Sequence, residues 1–211
     1  MCIIWALNGN TLPIAMIDEF KSKIESYVKV SDEFLSELQS SCKLVKLKKN
    51  DVLVKYGGIC RKAFFIKKGS FKSSLLTPDG SSKTTWFYFD ELFTIIPIRD
   101  SFLSGKPTKY EITALEESEV LEIEMSAVNV WLKKFPEFGE FFRLDMINDF
   151  IMGEEIRTHL LCYSKNDFLQ YLHKHFPVIV LRTPSRALAD FIGVTPEWYS
   201  KLKRKLVTLK R

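Results

Sequence analysis

The stretch SRALADFIGVTPEWYSKLKRK (185–205) is the most informative part of the chain, because its pattern predicts two short helices joined by a tight turn. Gly193 stands where such a turn needs a residue that accepts a left-handed backbone conformation. Ala189 is small enough for the two helices to cross closely at that point. Thr195 and Pro196 are typical of the cap and the first position of a helix, so the second helix is expected to begin there.

Apolar side chains and polar or charged side chains fall on different faces of the two predicted helices. Apolar residues that would join both helices to a core are Leu188, Ile192, Val194, Tyr199 and Leu202. The remaining face of the second helix carries hydroxyl, acidic and basic groups, which are the groups that contact base edges and phosphates in the major groove of DNA. We therefore predict a DNA-binding helix-turn-helix that uses Ser185, Arg186, Thr195, Glu197, Ser200, Lys201, Lys203 and Arg204.

The distribution of charge favours a polyanionic partner. The whole chain has a formal net charge of +5, whereas its last 30 residues contain eight basic and two acidic side chains. A basic terminal segment is typical of a protein that binds nucleic acid, but it is also compatible with a solvated surface. A surface helical hairpin with a basic face is therefore the alternative interpretation of 185–205.

The residues upstream of this segment, 136–161, predict one long helix that begins at Pro136. Apolar residues form two neighbouring stripes along the surface of this helix. One stripe consists of Phe138, Phe142, Met146 and Phe150, and the other of Leu144, Ile147 and Ile151. A helix that packs on a single surface needs one such stripe. The second stripe predicts a second copy of the helix in a homodimer, and the alternative is a helix buried within its own chain.

Between residues 44 and 124 the pattern changes to short β-type runs separated by turn residues. The runs are LVKL (44–47), DVLVKY (51–56), AFFI (63–66), FKSSLL (71–76), KTTWFYF (83–89), YEITAL (110–115) and EVLEIE (119–124). Many short strands at regular spacing indicate a sandwich or a barrel. We predict an antiparallel β-roll, preceded by helices in the first 43 residues, and hence an α+β fold.

Several function classes find no support in the sequence. No apolar run approaches the length of a membrane span, and the first residues lack the features of a signal peptide, so we expect a cytoplasmic protein without a membrane partner. Four scattered cysteines, Cys2, Cys42, Cys60 and Cys162, do not suggest disulfides or a metal site. Neither a nucleophile–base pair nor a phosphate-binding P-loop is present, so we expect no catalytic residues and no enzymatic activity.

Three segments together resemble the CRP/FNR family of bacterial transcription factors. EWYSK (197–201) resembles the E-x-x-S-R core of that family's recognition helix. Gly57 with FFIKKG (64–69), and TALEESEVLEI (113–123), resemble strands of its cyclic-nucleotide-binding-type β-roll. The similarity covers about residues 20–206, and the order of the segments is more specific than any one of them.

The resemblance implies a double-stranded β-helix as sensor, a dimerisation helix and a winged-helix-type helix-turn-helix with a short or missing wing. The corresponding domains are 1–135, 136–161 and 162–211. The implied partners are double-stranded DNA with a roughly palindromic site, a second copy of the chain, RNA polymerase and an unknown small-molecule effector. The family's reading roles fall on Glu197, Ser200 and Lys201; lysine in place of the usual arginine keeps the charge but loses the bidentate fork.

The resemblance also locates an effector pocket, at Phe89, Asp90, Glu91 and Leu92 and at Thr108, Lys109 and Tyr110. In the family, a Gly-Glu pair and an arginine in this region bind a cyclic phosphate, and a small residue comes directly after that arginine. Asp90, Lys109 and the bulky Tyr110 depart from that pattern, and these departures argue against cAMP or cGMP. We therefore expect no evident cofactor. The competing hypothesis is a sensing module with vestigial DNA binding that acts through protein contacts.

Overall fold

The computed structural model describes residues 11–97, 101 and 105–208, with the backbone alone over 205–208. Cys2 and the rest of the first ten residues, residues 98–100 and the basic residues Lys210 and Arg211 lie outside this part of the chain. The prediction of a short or missing wing also concerns residues beyond 208, so it stays a prediction.

Helices flank a set of eight described strands. The helices are α1 (Ile14–Glu25), α2 (Asp32–Ser41), α3 (Met125–Lys134), α4 (Pro136–Cys162), α5 (Lys165–His175), α6 (Pro177–Arg182), α7 (Ser185–Ile192) and α8 (Pro196–Thr208). The strands are β1 (Cys42–Leu47), β2 (Val52–Val54), β3 (Lys62–Lys68), β4 (Ser70–Leu76), β5 (Ser82–Phe89), β6 (Ile95–Ile96), β7 (Tyr110–Ala114) and β8 (Ser118–Glu124).

The strands form two four-stranded sheets, and all of their pairings are antiparallel. One sheet has the order β1-β8-β3-β6 and the other β2-β7-β4-β5. The α+β fold with an antiparallel β-roll is thereby confirmed, and each of the seven predicted runs coincides with a strand. Strand β6 was not predicted, because two residues are too short to show an alternating pattern.

Gly69 joins β3 to β4 at a position that excludes any side chain. Its φ is +106°, and a Cβ atom there would lie 2.1 Å from Ser118 Oγ on the neighbouring strand β8. The close approach of these two segments brings the start of β4 beside the loop that follows β5, where the Gly69 amide donates to Asp90 Oδ2 at 2.8 Å.

The two N-terminal helices pack on the outside of the first sheet. Ile17, Phe20 and Ile24 of α1 are buried, as their spacing predicts. Ser31 caps α2, since its hydroxyl accepts the Phe34 amide at 3.3 Å. Both helices share one core with α3 and the first turns of α4, to which aromatic rings contribute most of the volume.

The buried face of α4 differs from the predicted stripes. It consists of Phe138, Phe141, Asp145, Asp149, Gly153 and Ile156. Phe142 and Met146, predicted to share a stripe with Phe138, are half-buried, and Phe150 is 62% exposed. The outward face therefore keeps a set of unburied apolar side chains, Ile147, Phe150 and Ile151.

Asp145 is a buried acid on an otherwise apolar contact between α4 and α1. Its side chain is 2% exposed and lies 2.8 Å from Lys23 Nζ. The hydroxyl of Tyr27 donates to Asp145 Oδ1 at 3.3 Å. Burial of an unpaired carboxylate would be costly, so Lys23 of α1 and Tyr27, which lies just after the end of α1, are what permits the acid at this position.

We expect Asp145→Ala to lower the free energy of unfolding by about 2 kcal/mol, because it leaves the Lys23 ammonium without its partner in a partly buried site. Urea unfolding followed by circular dichroism measures this change. Asn148→Ala, an exposed change on the same helix, is the control and should be neutral within about 0.5 kcal/mol. Equal midpoints for the two variants would contradict a stabilising role of the ion pair.

Candidate nucleic-acid interface and sensor groove

The two helices α7 and α8 meet at a turn with the predicted geometry. Gly193 has a φ of +81°, and its amide and that of Val194 both donate to the Ala189 carbonyl at 3.0 Å. Thr195 caps α8, since its hydroxyl accepts the Trp198 amide at 3.2 Å. Pro196 is the first residue of α8. The sequence therefore predicted both the turn and the start of the second helix correctly.

The apolar residues that were predicted to join these helices to a core do belong to a buried core. Leu188, Ala189, Ile192, Tyr199 and Leu202 are buried, and Val194 packs against them half-buried. Tyr199 is fully buried although it is a large residue at a helix crossing, and its burial raises the pKa of the phenol. Tyr199 and the small residue Ala189 of the facing helix belong to the same buried cluster.

The eight predicted DNA-contacting residues all lie at the surface of this pair of helices. Ser185 and Arg186 begin α7, Thr195 caps α8, and Glu197, Ser200, Lys201, Lys203 and Arg204 lie along α8. Helical spacing places Glu197, Ser200, Lys201 and Arg204 on one side of α8, opposite to Tyr199 and Leu202. The Ser200 hydroxyl donates to the Pro196 carbonyl at 2.8 Å, which holds it close to the helix.

Helix α7 docks on strand β5 of the roll. The Asp190 carboxylate accepts the Thr84 amide at 2.6 Å and lies 2.9 Å from Lys83 Nζ. Burial acts to raise the pKa of Asp190, but these two partners outweigh it, and the pKa lies below its ordinary value. The ionised carboxylate therefore stabilises the docked state at neutral pH, and this contribution is lost as the pH falls through the lowered pKa.

Apolar contacts continue the same interface. The ring of Phe191 lies 5.3 Å from that of Phe87 and 6.3 Å from that of Trp86, both edge-to-face. A single buried cluster combines roll residues such as Phe89 and Leu115 with residues from α5 to α8. The described C-terminal helices are thus packed on the roll through a common core.

Arg182, the last residue of α6, adds an ionic contact to this interface. Its guanidinium pairs with Asp90 through both Nη atoms and donates to Glu116 at 2.7 Å and to Glu91 at 3.1 Å. We refer to Asp90, Glu91 and Glu116 as the acidic socket. The hydrogen bond to Asp90 is the main reason that the pKa of Arg182 is raised. The guanidinium also lies over the Phe89 ring, 5.7 Å from its centroid.

The residues predicted to form an effector pocket are dispersed. Phe89 is fully buried in the shared core, and Asp90 and Glu91 bind Arg182. Leu92 is half-buried against the same core. The backbone of Thr108 is hydrogen-bonded to Gly57 and Gly58, and Lys109 is exposed. Tyr110 is the one member of the predicted set among the residues that line the groove described next.

A groove of about 470 Å³ lies between the second sheet and the middle of α4. Its aromatic lining is Trp86, Tyr88, Phe93, Tyr110 and Phe150. Its charged lining is Asp149, Glu154 and Arg157, all on α4. The sequence offered one signal for it, since alternation along KTTWFYF places Trp86 and Tyr88 on the same face of a strand. The contribution of α4 depends on a tertiary contact that the sequence pattern does not show.

Comparison with known families agrees with this architecture. Residues 44–135 match the family model described as the cyclic nucleotide-binding domain. The match covers the strands and α3, but not the two helices α7 and α8. A comparison with curated protein sequences found no match.

Solved structures with the same fold include several bacterial regulators. FixK2 from Bradyrhizobium japonicum is 15% identical, with a TM-score of 0.65 over 80% of this chain and 86% of that one. The c-di-GMP responsive regulator CLP of Xanthomonas campestris is 11% identical, with a TM-score of 0.64 over 84% and 92%. A CRP/FNR-family protein from Eubacterium rectale is 13% identical, with a TM-score of 0.63 over 85% and 84%.

These similarities confirm the resemblance to the CRP/FNR family at the level of the fold and of the β-roll. At such identities a structural match establishes the fold and does not establish a ligand or an operator. Within the described ranges, no helix is long and apolar enough to cross a membrane.

We expect Arg182→Ala to destabilise the protein by about 2 kcal/mol, because it leaves the acidic socket without a cation in a partly buried contact. Chemical unfolding of both proteins at neutral pH measures this difference. Arg186→Ala removes an exposed arginine four residues away and should change the unfolding free energy by less than about 0.5 kcal/mol. A loss no larger than that of the control would show that Arg182 does not stabilise the interface.

Proposed function

We propose that this protein is a CRP/FNR-type transcription regulator that binds double-stranded DNA as a homodimer and responds to a small molecule. The observation that carries the proposal is the exposed polar face of α8, which begins at a capped turn and lies on the fold of bacterial transcription regulators. The proposed domains are the sensor over 1–135, the dimerisation helix over 136–161 and the DNA-binding domain over 162–211.

In this proposal α8 enters the major groove of DNA. Lys201 and Arg204 would donate to guanine O6 and N7 or to phosphates, and Glu197 would accept from the amino group of cytosine. Ser185 and Arg186 at the start of α7 would contact the phosphate backbone and fix the register. Thr195, Ser200 and Lys203 complete the contact set, and the side chains of all eight residues are exposed.

The proposed dimer uses the outward face of α4. Ile147, Phe150 and Ile151 lie about one turn apart on that face and are 45%, 62% and 59% exposed. Apolar side chains at this spacing on a long helix are typical of a helix–helix contact between two copies. Two copies related by a twofold axis would present two α8 helices to successive half-sites of a roughly palindromic sequence.

The docked arrangement of α7 also favours a second candidate, a sensing module that acts through protein contacts without binding DNA. Asp190 and Arg182 hold the C-terminal helices on the roll, so α7 is already engaged in a protein interface. Binding to a duplex of random sequence separates the two candidates, because retention of DNA at low salt is expected only of the regulator.

We expect Lys201→Ala with Arg204→Ala to weaken binding to a random-sequence duplex at least tenfold at low salt, since two cations at the polyanion would be lost. The dependence of log K on log salt concentration should become shallower by about 2, one for each lost phosphate contact. Fluorescence anisotropy with a labelled duplex measures both quantities. Lys133→Ala, an exposed lysine on α3, is the control and should leave both unchanged. Unaltered affinity in the double variant would refute the proposed reading face.

We expect Ile151→Asp to convert the dimer to a monomer, because a carboxylate would be buried without a partner at the proposed contact between two copies of α4. Sedimentation equilibrium gives the mass directly. Val130→Asp introduces the same charge at a 49% exposed valine on α3 and should remain dimeric. A wild-type protein that is monomeric at micromolar concentration would contradict this part of the proposal.

A further inference from the structure

We propose that Trp198 selects thymine in the major groove, through contact of its indole ring with the C5 methyl group of the base. Trp198 is not one of the eight residues that are proposed above to bind DNA. The inference rests on the proposed function, because it names the base that a further residue of α8 selects. DNA binding and its dependence on a methyl group are separate measurements, so the two proposals fail separately.

Trp198 is a large apolar side chain that the described fold leaves partly in solvent. It is 40% exposed, whereas Trp131 is fully buried and Trp86 packs half-buried against a core. None of the three apolar cores formed by described residues includes Trp198. Removal of an indole from water is favourable in proportion to the area covered. A partner that covers Trp198 therefore gains free energy of binding from it.

The first turn of α8 holds Trp198 in a defined position. The Thr195 hydroxyl accepts the Trp198 amide at 3.2 Å. Tyr199, the next residue, is fully buried and anchors the same turn in the core. In a helix-turn-helix, the N-terminal residues of the second helix are the ones that reach base edges. Trp198 is the third residue of α8, so it lies in the part of that helix proposed to enter the groove.

Helical spacing places Trp198 on the flank of the proposed reading face. Successive residues of an α-helix are about 100° apart, so Trp198 is about 60° from Lys201 and about 100° from Glu197 around the helix axis. The C5 methyl of thymine lies on the outer side of the base, towards the backbone of its own strand. A side chain on the flank of the helix is therefore suited to that methyl, whereas Lys201 and Glu197 face the hydrogen-bonding groups nearer the middle of the base pair.

The surroundings of Trp198 favour DNA as the partner that covers it. Residues 196–204 carry three basic side chains and one acidic side chain, and all four are exposed. These charges match a polyanion, and the indole matches the one methyl group that a DNA base presents in the major groove. An uncharged ring contributes nothing to the attraction of phosphates. Trp198 therefore adds a preference for thymine without adding to sequence-independent binding.

Parallel selection from random duplex DNA, with the wild-type protein and with Trp198→Ala, tests the proposal. We expect the wild-type motif to hold thymine at one position of each half-site, and that position to accept several bases in the variant. Trp198→Phe keeps an aromatic ring and should retain the thymine, whereas Trp198→Gln should lose it as Trp198→Ala does. Tyr56→Ala removes a 51% exposed aromatic residue of the β-roll and should return the wild-type motif. Circular dichroism shows that each variant is folded.

Uracil in place of thymine isolates the methyl group, because it leaves the charge and the base pairing unchanged. In the site recovered for the wild-type protein, we expect uracil at the proposed position to weaken binding about fourfold per half-site, which corresponds to the burial of one methyl group. Trp198→Ala should bind the thymine and uracil sites equally. Its dependence of log K on log salt concentration should equal that of the wild type, since no charge is removed. Fluorescence anisotropy measures all of these quantities.

The outcomes separate the inference from the proposed function. Equal affinity of the wild-type protein for thymine and uracil at every position of the recovered site would overturn the inference and leave the proposed regulator intact. A loss on uracil that is as large in Trp198→Ala as in the wild type would assign the methyl contact to another residue, and would also overturn it. Absence of any enriched motif for the folded wild-type protein would refute the proposed function and the inference together.

Discussion

The contact between Arg182 and the acidic socket connects the two halves of the described structure. Arg182 ends the short helix that precedes the helix pair α7 and α8, and its carboxylate partners lie in loops of the β-roll. The same interface contains a shared apolar core and, at the other end of β5, the contact of Asp190 with Lys83 and Thr84. A charged pair in a partly buried site fixes geometry more than it adds stability, whereas the apolar core supplies most of the attraction. Together they set where the polar face of α8 lies relative to the β-roll.

This constraint also shapes the β-roll. The loop that follows β5 carries two of the acids that hold Arg182, and the same loop continues into Phe93 at the wall of the groove. Only a few residues of backbone therefore connect the groove to the interface that holds the C-terminal helices, and a structural change in the groove can reach that interface through them. In the proposed regulator, a ligand could alter the population of docked and released arrangements only through a difference in its affinity for the two. Phe93 lies between the groove and the acidic socket. A ligand in the groove could therefore have different affinities for the docked and the released arrangement through its effect on Phe93.

Much of the fold was predictable because its signals are local. The strands were recognisable as short runs between turn residues, and the turn at Gly193 follows from a residue that tolerates positive φ before a capped helix. The buried face of α4 was not, because apolar residues occur around most of that helix and the buried acid Asp145 depends on Lys23 in a distant helix. The ion pair of Asp90 with Arg182 was not predicted either, because it also depends on a tertiary contact. The two residues are 92 positions apart, and no periodic sequence pattern indicates such a pair. The DNA-contacting set was predicted with its surface placement, but its binding role is untested.

The exposed polar face of α8 is proposed to read DNA sequence. The most direct test is selection of bound sequences from random duplex DNA by the purified full-length protein, followed by sequencing of the enriched pool. We predict recovery of one motif with two inverted half-sites whose centres lie about one helical turn apart, as a symmetric dimer requires. Enrichment of no motif, in protein shown to be folded and dimeric, would contradict it.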